Sequence, residues 1–150
     1  MGRKIVILNG SPRKNGNTSA LVKSFTEGAE SAGNTVTEFF LSGMEIHGCK
    51  GCFGGHSSRE CPCVQKDDMA EILEKAEAPD LLLLASPTYF LTMSGQMKVM
   101  IDRLLPKWQG LGEKDAYVIV TGHDGKGGLK RNAEDLVTIL ENLGDRVLQV

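Results

Sequence analysis

The chain has 150 residues, a net charge of −2 and 41% hydrophobic residues. That length suits a single domain, residues 1–150, with a sizeable core. The weak acidity argues against a general nucleic-acid binder. No apolar stretch approaches a membrane span, and the N-terminus carries neither a signal-peptide pattern nor a myristoylation site, so a cytoplasmic protein is expected.

Short apolar runs alternate with amphipathic segments. Lys4–Leu8 reads as a buried parallel strand. Leu21, Val22, Phe25 and Ala29 follow at helical spacing, with Thr18 or Ser19 as the expected N-cap and Gly33-Asn34 as the stop. Thr35–Leu41 is β-branched and aromatic, which predicts a second strand. From Ser42 to about Lys66 the chain is irregular and rich in Gly and Cys, and an irregular stretch of that length is usually functional or partly disordered. Asp67 is placed to cap a helix with Met69, Ile72, Leu73 and Ala76 on one face, broken at Ala78-Pro79-Asp80. Leu81–Ala85 is the most apolar run and reads as the central strand.

A helix from about Ser94 to Leu105 turns Met97, Met100, Ile101 and Leu104 inward, and Lys98, Asp102 and Arg103 read as a surface ion-pair set. Ala116–Thr121 is a further strand, "GHDGKGG" a loop, Leu129 to Leu143 a helix stopped by Gly144, and Arg146–Val150 a fifth strand. Five strands alternating with four helices predict an α/β fold, a parallel sheet covered on both faces. No fifth helix follows the last strand. Either a partner subunit covers that end of the sheet or the chain is truncated.

The stretch "NGSPRKNGNTSALV" leaves the first strand and enters a helix through a polar loop. It ends in no Gly-Lys-Ser/Thr triplet and contains no G-x-G-x-x-G, so neither the Walker A nor the Rossmann loop fits. What remains is a hydroxyl- and amide-rich loop at a helix N-terminus, where free N–H groups and the helix dipole favour a phosphate monoester. Ser11, Asn15, Asn17, Thr18 and Ser19 can donate hydrogen bonds, and Arg13 can add charge-assisted ones. The bland alternative is a turn and a helix cap.

Three ordered motifs carry a family resemblance. "NGSPRKNGNTSALV" resembles the phosphate loop of the flavodoxin-like NAD(P)H-dependent FMN reductases, and "PTYFLTMSGQMKVMIDR" (Pro87–Arg103) resembles their third-strand loop and the helix after it. "GCKGC…CVQKDDM" is similar to the middle segment of the iron–sulfur flavoprotein branch. The resemblance implies a flavodoxin-like three-layer sandwich with strand order 2-1-3-4-5 and FMN at the carboxyl ends of the strands. It also implies NAD(P)H as cosubstrate, a quinone, flavin or other small molecule as electron acceptor, and a homodimer or tetramer with the flavin near the interface.

Under that strand order three loops meet. The first holds the phosphate candidates. The second offers Pro87, the Thr88 hydroxyl, Tyr89 and Phe90 as surroundings for a flat ring, with core packing as the alternative for the two aromatics. The third, from Thr121 and Gly122 onward, is glycine-rich and could approach a ring edge. Trp108 reads equally as a lid or interface residue and as a surface residue over a helix end. His123 reads first as a solvated loop histidine. No catalytic side chain is identified, because a flavin supplies its own chemistry and no nucleophile elbow or triad is present.

The four cysteines, Cys49, Cys52, Cys61 and Cys63, lie within fifteen residues. Such clustering in a reducing compartment suggests a metal or redox role. Cys49, Cys52 and Cys63 match three positions of the iron–sulfur flavoprotein motif, but Gly55 stands where its third cysteine falls. Four thiolates could still hold a 4Fe–4S cluster or zinc. The departure at Gly55 favours free thiols, with a redox thiol pair as a further reading; nothing in its spacing singles out His56 as a ligand. The leading expectation is an FMN-dependent oxidoreductase. The alternatives are an iron–sulfur electron-transfer protein reduced by a protein donor such as ferredoxin, and a non-catalytic flavodoxin-like module.

Overall fold

The computed structural model describes residues 2–54, 63–76, 78–123 and 125–150. Its strands are β1 (Lys4–Asn9), β2 (Thr35–Phe40), β3 (Leu81–Tyr89), β4 (Thr92–Met93), β5 (Asp115–Thr121) and β6 (Arg146–Gln149). Its α-helices are α1 (Asn17–Ser31), α2 (Met69–Ala76), α3 (Gly95–Asp102) and α4 (Gly125–Asn142). Five strands pair in parallel in the order β2-β1-β3-β5-β6, while β4 folds back antiparallel on β3. Apart from that hairpin, this is the expected 2-1-3-4-5 order of a flavodoxin-like sheet. The sixth strand is the addition.

The continuous apolar runs explain which strands are central. Every residue of β3 from Leu81 to Thr88 is buried. Side chains alternate between faces, so Leu82 and Leu84 join α2, α3 and α4, whereas Leu81, Leu83 and Ala85 join α1. The larger cluster lies on the α2–α3–α4 side, with Met69, Ile72, Met97, Met100, Leu136 and Leu140 fully enclosed. Burying each such side chain stabilises the fold by roughly 1.5–3 kcal/mol, so that face carries most of the hydrophobic stabilisation. On the other face α1 packs alone through Val22, with Phe25 and Ala29 beside it, and Tyr117 and Ile119 stay only partly buried. Both faces are covered, but unevenly.

Several boundaries differ from the sequence expectation. The N-cap of α1 is Gly16, not Thr18 or Ser19, and no side chain caps it. Both hydroxyls are spent elsewhere: Thr18 pairs with Thr121 and Ser19 donates to the Arg13 carbonyl. Of the expected inward face only Leu21 turns to solvent; Val22 is buried in the core and Phe25 and Ala29 pack partly buried against it. The stop is as expected, with Gly33 at φ +82° and the Asn34 N–H reaching the Ala29 carbonyl. Strand β3 runs four residues beyond Ala85, because Ser86 and Pro87 still pair with β5 and Thr88 and Tyr89 with β4. Helix α3 ends at Asp102, and Leu105–Gly110 forms a 3₁₀ turn containing Pro106. Part of the "GHDGKGG" loop is helical, since α4 begins at Gly125.

Candidate functional site

The loop after β1 is shaped by a residue the sequence reading passed over. Asn9, fully buried at the end of β1, accepts from the Ser11 N–H at 3.0 Å and donates to Glu38 at 2.8 Å and to Ser19 at 3.3 Å. Ser11 is itself buried; its hydroxyl donates to the Arg13 carbonyl and accepts from the Arg13 N–H. Gly10 is held from beneath, with its N–H on the Ala85 carbonyl at 2.8 Å and its carbonyl accepting from Ser94 at 2.7 Å. A Cβ on Gly10 would stand 2.8 Å from the Ser94 hydroxyl, so only glycine permits this approach. Ser94 also caps α3 and donates its N–H to the Ser86 hydroxyl oxygen. The polar end of an otherwise apolar strand, "VILNGS", was the available signal for Asn9.

This frame leaves the first turn of α1 without a side-chain cap, and places the exposed side chains of Arg13, Lys14, Asn15 and Asn17 around it. Uncapped N–H groups with a helix dipole behind them are the chemistry a phosphate monoester needs. The residues present therefore fit the phosphate end of FMN.

The second and third loops meet the first as expected. The Thr121 and Thr18 hydroxyls lie 2.7 Å apart, tying the end of β5 to the first turn of α1. Gly122 packs on Thr88, since a Cβ there would be 3.0 Å from the Thr88 Cβ. Ser11, Thr18, Ser19, Pro87, Thr88, Thr121 and Gly122 are thus gathered at the carboxyl end of the sheet. Tyr89 and Phe90 are not core residues: Tyr89 is 42% exposed and Phe90 100% exposed, at the tip of the β3–β4 hairpin. Leu91 beside them is also exposed. The exposed tip removes the core-packing alternative for this pair. Trp108 and His123 are also exposed.

The cysteine segment sits beside a buried ion pair. Arg103, expected at the surface with Lys98 and Asp102, is instead 1% exposed and turned inward at the end of α3. Its guanidinium donates to both Asp67 oxygens, at 2.7 and 2.9 Å, and to the His47 carbonyl at 2.7 Å. Asp67 also accepts from the His47 N–H and, as expected for a cap, from the Met69 N–H opening α2. The Arg103 hydrogen bonds hold the Asp67 carboxyl far below the usual carboxylate range, against the opposing effect of burial. Lys98 and Asp102 do form the expected exposed pair. Cys49 and Cys52 are exposed and Cys63 is half-buried near Arg103. Cys61, Gly55 and His56 lie outside the described residues. Among the described residues no three His, Cys, Asp or Glu side chains converge as a metal site.

Comparison with known proteins identifies the family. An iron–sulfur flavoprotein of Archaeoglobus fulgidus is 41% identical over 103 residues, which cover 69% of this chain but 46% of that protein. One from Methanocaldococcus jannaschii is 31% identical over 135 residues, 89% of this chain and 69% of its own length. The chain therefore spans about half of the first relative (46%) and about two thirds of the second (69%). Among solved structures, an NAD(P)H:quinone oxidoreductase from Methanothermobacter marburgensis superposes with a TM-score of 0.79 at 18% identity, over 100% of this chain and 83% of that one. That likeness shows the fold. The family model for NADPH-dependent FMN reductases matches residues 3–149, and the chain belongs to that family.

Proposed function

We propose that this chain binds FMN and passes electrons from NAD(P)H through it to a small acceptor such as a quinone or free flavin. The observation that carries the reading is the uncapped first turn of α1 behind a loop held rigid by Asn9, with the 87–91 and 121–122 loops beside it. The isoalloxazine of FMN supplies the redox chemistry, and the protein supplies position and surroundings. Ser11, Thr18 and Ser19 have hydroxyls already engaged within the protein, so their side chains shape the loop. The phosphate falls to the backbone N–H groups of the first turn and to the side chains of Arg13, Asn15 and Asn17. Pro87, Thr88, Tyr89 and Phe90 wall the ring, and Thr121 and Gly122 line its edge. A second copy covering the exposed Phe90 and Leu91 makes a homodimer or tetramer the proposed assembly.

Visible absorption of purified protein tests the reading. A two-band flavin spectrum that releases FMN on denaturation, and NAD(P)H oxidation with an added acceptor, support it. Protein that is colourless and takes up no FMN overturns it in favour of a non-catalytic module.

A second reading has one observation in its favour. Arg103 pins His47 and Asp67 together, so both flanks of the cysteine segment are anchored on the end of α3. That favours a segment shaped for a function: its relatives are named iron–sulfur flavoproteins, and the second reading is a cluster on Cys49, Cys52, Cys61 and Cys63 fed by a protein electron donor. Iron and acid-labile sulfide measured per FMN after anaerobic purification decide it. The absence of both leaves free or redox-active thiols.

A further inference from the structure

The β3–β4 hairpin is an improbable turn for its sequence. Its two central residues, Phe90 and Leu91, have φ of +50° and +74°, a conformation that favours Asn-Gly. Neither is a glycine, and Phe90 makes up for nothing by burial, being wholly exposed. Such backbone persists only where surrounding structure over-determines it, and it concentrates at functional sites.

The restraint comes from one face of α4. Asn132, fully buried, donates from its amide to the Thr88 hydroxyl oxygen at 3.0 Å and to the Pro87 carbonyl at 3.4 Å. The Pro87 carbonyl can only accept, so it sets which end of the amide faces β3. The other end, Oδ1, is buried without a partner among the described residues. An orphaned acceptor is a cost that an apolar side chain would avoid, so packing alone does not account for an asparagine here. One turn further on, Asp135 accepts from the Thr92 hydroxyl at 2.5 Å. Thr88 and Thr92 are the residues on either side of the exposed Tyr89-Phe90-Leu91 tip. The two α4 side chains therefore grip both strands of the hairpin immediately below its apolar end.

We infer that Asn132 and Asp135 are positioning residues: from α4 they hold the strained hairpin so that Tyr89 and Phe90 stand as a fixed wall for the flavin ring. The inference rests on the FMN reading above, and it adds residues that touch neither phosphate nor ring. Its consequence is that FMN meets a wall already in place.

The test uses Asn132→Leu, Asp135→Ala and Asp135→Asn in the full chain. The last keeps a carbonyl acceptor for Thr92. Amide hydrogen exchange of residues 88–93 without FMN reads the restraint, and fluorescence titration with FMN reads the wall. Expected are exchange at least tenfold faster over the hairpin and FMN binding at least fivefold weaker in Asn132→Leu and Asp135→Ala. Asp135→Asn should return both to within about twofold of the parent. A shifted visible band of bound FMN in the two weakened variants would accompany this. Unchanged hairpin exchange overturns the grip. Faster exchange with unchanged FMN affinity overturns the wall while leaving the FMN reading standing. A parent protein that binds no FMN fails at the first titration and removes both. Should Asn132→Leu not fold, the contrast between the two Asp135 variants decides alone.

Discussion

Arg103 and Asp67, thirty-six positions apart, form a two-pronged ion pair with both side chains almost wholly out of solvent, at 1% and 2% exposure. The same guanidinium holds the His47 carbonyl. One arginine thus joins the end of α3, the start of α2 and the entrance to the cysteine segment.

Removing one partner strands the other charge. Arg103→Met or Asp67→Leu alone should cost about 3–5 kcal/mol in urea unfolding, and the double replacement should recover much of that loss. A single variant within 1 kcal/mol of the parent would mean the pair is not buried in solution.

The pair also sets an acid limb. Asp67 has its carboxyl held below the unfolded value, so its contribution is fully present above about pH 3.9 and drains away as pH falls further. Stability measured from pH 6 to pH 2 should fall more steeply in the parent than in Asp67→Asn.

Asp145 acts in the opposite direction. Burial raises its carboxyl pKa, although its Oδ1 accepts from the Lys114 N–H, and among the described residues Oδ2 has no partner. A raised value in the fold means that the charged form is disfavoured there. Its contribution is therefore largest below about pH 3.9 and is lost as pH rises through the folded value. Asp145→Asn should be flat over that window, so its stability relative to the parent should improve between pH 3.5 and pH 6.

Asn9 organises the proposed phosphate loop. Asn9→Leu leaves the Ser11 N–H and the Glu38 carboxylate without their partner, at a cost of about 1–3 kcal/mol by thermal or urea unfolding. FMN affinity should fall by at least about tenfold, roughly one charge-assisted hydrogen bond's worth. Retained affinity would mean that the loop does not hold the phosphate.

Riboflavin separates the phosphate from the ring. If the first turn of α1 holds the monoester, riboflavin should bind about 100-fold more weakly than FMN, and FMN binding should weaken with salt while riboflavin binding does not. Equal affinities would place the whole recognition on the ring.

Much of this was legible in the chain itself. Short continuous apolar runs bounded by turn signals read as strands buried on both faces, and their alternation with amphipathic segments predicted a parallel α/β sheet, while the five-strand order and the meeting of three loops were what the resemblance of three motifs implied. The phosphate-loop candidates were legible as a run of hydroxyl and amide side chains between a strand and a helix, a pattern that a turn and a helix cap also use. Local sequence determined those features because they depend on periodicity and on neighbours along the chain. The tertiary structure alone decided the rest. It turned Arg103 inward, because a partner thirty-six residues away offered both carboxylate oxygens. It drew the Thr18 and Ser19 hydroxyls away from capping, made Asn9 the hub of the loop, and exposed Phe90 on a hairpin gripped from α4. Each of these depends on which distant polar group arrives beside a side chain, and a hydrogen bond formed across the fold outweighs the local preference that sequence alone can express.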